Sequence, residues 1–91
     1  MSSAEERTRV LMDLFQKLDP ATVDYEDDEL FREVISAVLE NNVMTVAEFA
    51  DTFSMSRSSV SRWADGRNDP HPAMRPVIYR VFRERISAIV G

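Results

Sequence analysis

Apolar residues recur at intervals of three and four along most of this chain, the spacing of helices that each bury one face. Val10, Leu11, Leu14, Phe15 and Leu18 form the first stripe, over residues 4–18, with Glu5, Glu6, Arg7, Arg9 and Asp13 lying off it. Asp19-Pro20 ends that helix, because a proline ring disfavours helical geometry in the residue before it. Leu30, Phe31, Val34, Ile35, Val38 and Leu39 make a second stripe over 28–41, closed by Asn41-Asn42. Val46, Phe49, Ala50 and Phe53 supply a short third stripe, and Val60, Trp63 and Ala64 a fourth. The last stripe, in 73–90, is Val77, Ile78, Val81, Phe82, Ile86 and Ile89, with Pro76 in the first turn, where its missing N–H is not needed. No stretch alternates as a strand would. The expected fold class is all-α, a small five-helix domain.

The third and fourth stripes are joined tightly. Thr45 can cap the first of these helices and Glu48 can reach back to it, forming a capping box. Ser54-Met55-Ser56 interrupts the stripe, and Ser56 is a second N-cap. Gly66 supplies the stop. Between Ser56 and Asp65 the outward positions are Arg57, Ser58, Ser61 and Arg62, all able to hydrogen-bond to bases or phosphates. A short helix braced by another has the size to enter a DNA major groove, ~12 Å wide.

Taken together, Thr45 to Pro70 resembles the helix-turn-helix of the lambda-repressor/Cro-like (XRE) DNA-binding proteins. Ala50 stands at the small position where the two helices cross, and Met55, Val60 and Trp63 at the apolar positions after the turn. Trp63-Ala-Asp-Gly66-Arg67-Asn68-Asp-Pro70 resembles the stretch that follows the family's recognition helix. The family often has Gly, with positive φ, where this chain has Ser54. The resemblance covers roughly residues 28–70. It implies a lambda-repressor-like helix-turn-helix, with Arg67 and Asn68 gripping the DNA backbone.

Net charge is −5, which by itself argues against a nucleic-acid partner. The charge is unevenly spread. Residues 1–53 hold four basic and thirteen acidic side chains, net −9, whereas residues 54–91 hold seven arginines and three acids, net +4. Arginine suits bidentate contact with phosphate or guanine. The plainer alternative is an arginine-rich face that is solvated and paired with the acidic half. The run Asp24-Tyr-Glu-Asp-Asp-Glu29 reads as favourable charge at a helix start, or as an acidic arm that mimics or screens DNA. Arg75, Arg80, Arg83 and Arg85 decorate the last helix, some within reach of phosphates, with a structural or solvent role expected for Arg83 and Arg85.

At 91 residues and 44% hydrophobic, the chain is expected to form one domain. It divides into an N-terminal helix and acidic linker (1–27), the helix-turn-helix core (28–70) and a C-terminal helix (71–91). There is no Cys, Gly occurs only at 66 and 91, and the sole His71 lies between two prolines. Thiolate metal sites and glycine-rich phosphate loops are thereby excluded, and no catalytic residue, metal ligand or cofactor is expected. Nothing approaches the ~18 consecutive apolar residues of a membrane span, and no signal peptide is apparent, so the expected location is cytoplasmic.

The leading expectation is a sequence-specific transcriptional regulator of double-stranded DNA, most simply a repressor binding an inverted repeat as a homodimer. Arg57, Ser58, Ser61 and Arg62 would read bases. Thr45 and Val46, at a helix start, would hold a phosphate through backbone N–H groups. Dimerisation follows from economy, since one such helix reads only ~4 base pairs. Both the first and last helices are candidates for pairing, the first stripe serving equally well as core. The alternative is a protein-binding module, an antiactivator or antitoxin, that engages a protein partner through the acidic N-terminal half.

Overall fold

The structure, a computed structural model, describes residues 3–91; Met1 and Ser2, in the expected N-terminal segment 1–27, lie outside the described residues. Among the described residues five helices form: α1 (Ser3–Lys17), α2 (Asp28–Glu40), α3 (Val46–Thr52), α4 (Arg57–Ala64) and α5 (Arg75–Val90). A single 3-10 turn, Pro72–Met74, leads into α5. There is no strand among the described residues, and the fold class is all-α. No helix among them is long and apolar enough to cross a membrane.

The stripes become one core. Leu11 and Leu14 of α1 and Leu18 just after it are buried with Phe31, Val34, Ile35 and Val38 of α2, Phe49 and Ala50 of α3, Val60 of α4 and Ile78, Tyr79, Phe82 and Ile86 of α5. Val10 and Ile89, expected on inward faces, are exposed, as is Val77. Val10 lies at the margin of its stripe, Val77 falls on the side of α5 away from the buried residues 75, 78, 79, 82 and 86, and Ile89 stands in the last turn of α5.

Three helix ends repeat one device at twelve-residue intervals. After α2, Asn42 takes a left-handed conformation (φ 54°), and the Val43 amide donates back to the Val38 carbonyl at 3.0 Å. After α3, Ser54 does the same (φ 53°), with Met55 N–H donating to Ala50 O at 2.9 Å. After α4 the residue is Gly66 (φ 73°), and Arg67 N–H donates to Arg62 O at 2.9 Å. These six-to-one bonds satisfy carbonyls that a helix end leaves open and fold the chain back sharply.

The acidic linker is built from turns and caps. The Asp19 carboxylate accepts from the Ala21 amide at 2.9 Å, and the Asp24 carboxylate from Glu26 at 3.0 Å. Asp27 caps α2, accepting from Leu30 N–H at 3.0 Å. His71 has a similar task, its Nδ1 accepting from the Ala73 amide at 3.1 Å. Pro76 falls in the first turn of α5.

One arginine departs from its expected place. Arg75 belongs to the core, 1% exposed, and does not decorate the outside of α5. Its guanidinium donates to the Tyr25 carbonyl at 2.8 Å and to the Asp28 carboxylate at 2.7 Å, and lies 4.9 Å from the Phe31 ring centroid. The reason is positional, because residues 75, 78, 79, 82 and 86 are the buried face of α5. Arg83 also has a structural place, 4.1 Å from the Phe15 ring centroid. Arg85 approaches Glu48 at 3.5 Å.

Tyr79 stacks on Tyr25 at 5.8 Å, and its hydroxyl is buried without a hydrogen-bond partner among the described residues. Burial pushes its phenol up to about 12 from the ordinary 10.0, with the nearby Arg75 charge opposing the rise. A raised pKa stabilises the fold only while both states are neutral. Stability is therefore full below pH 10 and falls as pH rises towards about 12, because the unfolded chain ionises first. Urea denaturation across this window should show the loss. Tyr79→Phe should flatten it, at little or no cost near pH 7 because no hydrogen bond is removed.

Candidate nucleic-acid interface

Helix α4 is held at three points. Ser56 caps it, its hydroxyl accepting from the Ser59 amide at 3.1 Å and lying 2.8 Å from the Ser59 hydroxyl. Val60 is fully buried. Trp63, half-buried, meets two aromatic rings edge-on: Phe31 of α2 at 5.7 Å and Phe49 of α3 at 5.9 Å. Ala50 is buried on α3, whose next buried aromatic neighbour on the α5 side is Phe82, 5.6 Å from Phe49. The turn Phe53–Ser56 is tied down by the Met55 bond to Ala50, with Met55 packed on the core.

A helix pinned along 60 and 63–64 must present the other side to solvent. Arg57, Ser58, Ser61 and Arg62 are all exposed, and their spacing places them on that one side. Neither Arg57 nor Arg62 has an ion pair among the described residues. The Ser58 hydroxyl lies 3.3 Å from that of Ser56, a contact that an exposed hydroxyl can exchange readily.

The flanking residues are more committed. At the start of α3 the capping box is complete: the Thr45 hydroxyl accepts from Glu48 N–H at 3.1 Å, and the Thr45 amide donates to the Glu48 carboxylate at 3.1 Å. Thr45 and Glu48 thus have their amides engaged, with a carboxylate beside them, which leaves Val46 and Ala47 as the backbone donors of that turn. Beyond α4, Arg67 pairs with Asp65 at 2.7 Å, both well exposed. Such surface pairs are worth about 0–1 kcal/mol and yield easily to a stronger anion. Asn68 is exposed, its amide donating to Arg62 O at 3.4 Å.

Arg32 was not among the residues expected here, yet it supports this end of α4. Its guanidinium reaches Asp69 at 3.3 Å, and its side chain passes so close to Gly66 that a Cβ there would stand 2.8 Å from Nε. A basic residue at the polar edge of the α2 stripe was the available sign. Comparison with known protein families, with curated proteins and with solved structures finds no match to this chain.

The two turns around α4 carry opposite expectations. Ser54→Gly should stabilise the protein by ~0.5–1 kcal/mol, since glycine occupies the left-handed region without the Cβ penalty. Gly66→Ala should destabilise by ~1–2 kcal/mol, from that penalty and from displacement of Arg32. Chemical denaturation of the two variants measures both signs.

Proposed function

We propose that this protein is a sequence-specific DNA-binding regulator, most simply a repressor acting as a homodimer on an inverted repeat, with α4 as the recognition helix. The observation that carries the reading is the solvent-facing edge of Arg57, Ser58, Ser61 and Arg62, whose arginines have no ion pair among the described residues, on a helix whose opposite side is locked by Val60 and Trp63. Bidentate arginine and short hydroxyl side chains are the groups that read base edges. The resemblance of Thr45–Pro70 to the lambda-repressor/Cro-like family supports it, as does the positive φ at Ser54.

In this reading the N-terminal part of α4 lies in the major groove. Arg57 and Ser58 meet bases first, and Ser61 and Arg62 read bases or phosphate further along. Arg67 leaves Asp65 for a phosphate, with Asn68 beside it. The acidic linker is no obstacle, since Asp19, Asp24, Asp27 and Asp28 are engaged in turns, a cap and the Arg75 pair.

Fluorescence anisotropy with a mixed-sequence duplex should show affinity falling steeply between 50 and 200 mM salt, as phosphate contacts release counterions. On a selected site, Arg57→Ala should cost ~1–3 kcal/mol and relax base preference, while Arg67→Ala should weaken all sequences alike and lower the salt slope by ~1. Identical behaviour of the two variants removes the division between reading and gripping. A chain that ignores DNA at low salt belongs instead to the protein-partner reading.

A further inference from the structure

We propose that Arg32 is a positioning residue for DNA binding: it holds the Asp69 carboxylate and so keeps that charge from the phosphate that Arg67 and Asn68 would grip. The inference rests on the DNA-binding reading above and deepens it. The stretch concerned is Asp65-Gly66-Arg67-Asn68-Asp69, in which a carboxylate flanks the proposed grip on either side. Its start is tied to α4, since the Arg67 and Asn68 amides both donate to the Arg62 carbonyl, at 2.9 and 3.4 Å. Its end runs into Pro70, which is buried.

Two ion pairs cover the two carboxylates, and they are built differently. Arg67–Asp65 joins near neighbours on the surface, with side chains 71% and 52% exposed. Arg32–Asp69 joins separate parts of the fold across 37 residues, with side chains 41% and 24% exposed. Water and salt screen the first more than the second, so the first is the pair that yields to a phosphate. Arg32 is poorly placed to follow it. Its Nε is buried, without a hydrogen-bond partner among the described residues, and a Cβ on Gly66 would stand 2.8 Å from that nitrogen and 2.9 Å from Cδ. The side chain is therefore packed against the Gly66 backbone, with an outer nitrogen of its guanidinium 3.3 Å from Asp69.

Charge decides what this achieves. Asp65, Arg67 and Asp69 sum to −1, and Arg32 brings the group to zero. When Arg67 turns to a phosphate it leaves Asp65 bare, so a second bare carboxylate would oppose DNA from the other flank. Asp69 follows Arg67 by two residues, at most ~7 Å of chain. That lies inside the screening length of about 10 Å at 0.1 M salt. An uncovered Asp69 would repel the same phosphate that Arg67 attracts. Arg32 thus serves binding without touching DNA.

Fluorescence anisotropy with a mixed-sequence duplex tests this, on variants that circular dichroism shows to be folded at the assay temperature. At ~50 mM salt Arg32→Gln should weaken binding about three- to tenfold, on all sequences alike. The loss should shrink at ~200 mM, as the repulsion is screened. Asp69→Asn alone should change affinity by less than about twofold, because its charge is already covered, whereas R32Q/D69N should return to within about twofold of wild type. A folded Arg32→Gln that binds as the wild type does overturns this inference alone, and so does a loss undiminished by salt, the mark of a merely structural part. A double variant as weak as Arg32→Gln, or an equal gain from Asp69→Asn in both backgrounds, also overturns it, since Arg32 then meets the phosphate itself. A wild type that ignores DNA at low salt sinks the groove reading and this inference with it.

Discussion

Everything α4 can offer a partner depends on the indole of Trp63 wedged against Phe31 and Phe49. Those two rings belong to α2 and α3, so a single side chain fixes α4 to both helices behind it. Edge-on aromatic contacts prefer a definite angle, worth ~0.5–1.5 kcal/mol beyond the area they bury. With Val60 buried one turn earlier, the rotation of the helix about its own axis is set. Arg62, ~160° around the helix from Val60 and ~100° from Trp63, is thereby turned to solvent, and Arg57, ~60° from Val60, is exposed in the first turn of the helix. Loss of this wedge would leave an eight-residue helix with a single buried anchor, too short to persist alone.

The other end of the molecule is organised by charge. Arg75 carries a guanidinium into the core, where burial without partners would be prohibitive. It is tolerated because the linker supplies a carbonyl from Tyr25 and a carboxylate from Asp28, and because Phe31 lies against its face. The same Phe31 ring touches Trp63, so the charged latch and the aromatic wedge share a residue. The acidic half and the arginine-rich half are in this sense complementary parts of one fold. Most of the chain's negative linker residues act on backbone amides, and in the arginine-rich half the arginines without an ion pair among the described residues lie on α4 and α5.

How much of this could be read from sequence differs by kind of interaction. Helices, caps and stops are local, and they were legible: Thr45 and Glu48 form their box, Ser56 and Gly66 bound α4, and Pro76 opens α5. The outward placement of Arg57, Ser58, Ser61 and Arg62 followed from period alone. Long-range polar contacts were not legible. Arg75 was assigned to the surface because arginine usually lies there, although its number falls on the buried stripe of α5; the partner that permits burial is 47 residues away. The link from Arg32 to Asp69, across 37 residues, was hidden in the same way.

The central claim is that the free edge of α4 meets nucleobases. Amide chemical-shift mapping of the labelled protein, titrated with a duplex selected from a random pool, tests it most directly. The account predicts the largest shifts at Ser56–Arg62, a smaller group at Arg67 and Asn68, and little change in α1. Shifts concentrated along α1 and α5 with α4 silent, or none at low salt, would contradict it.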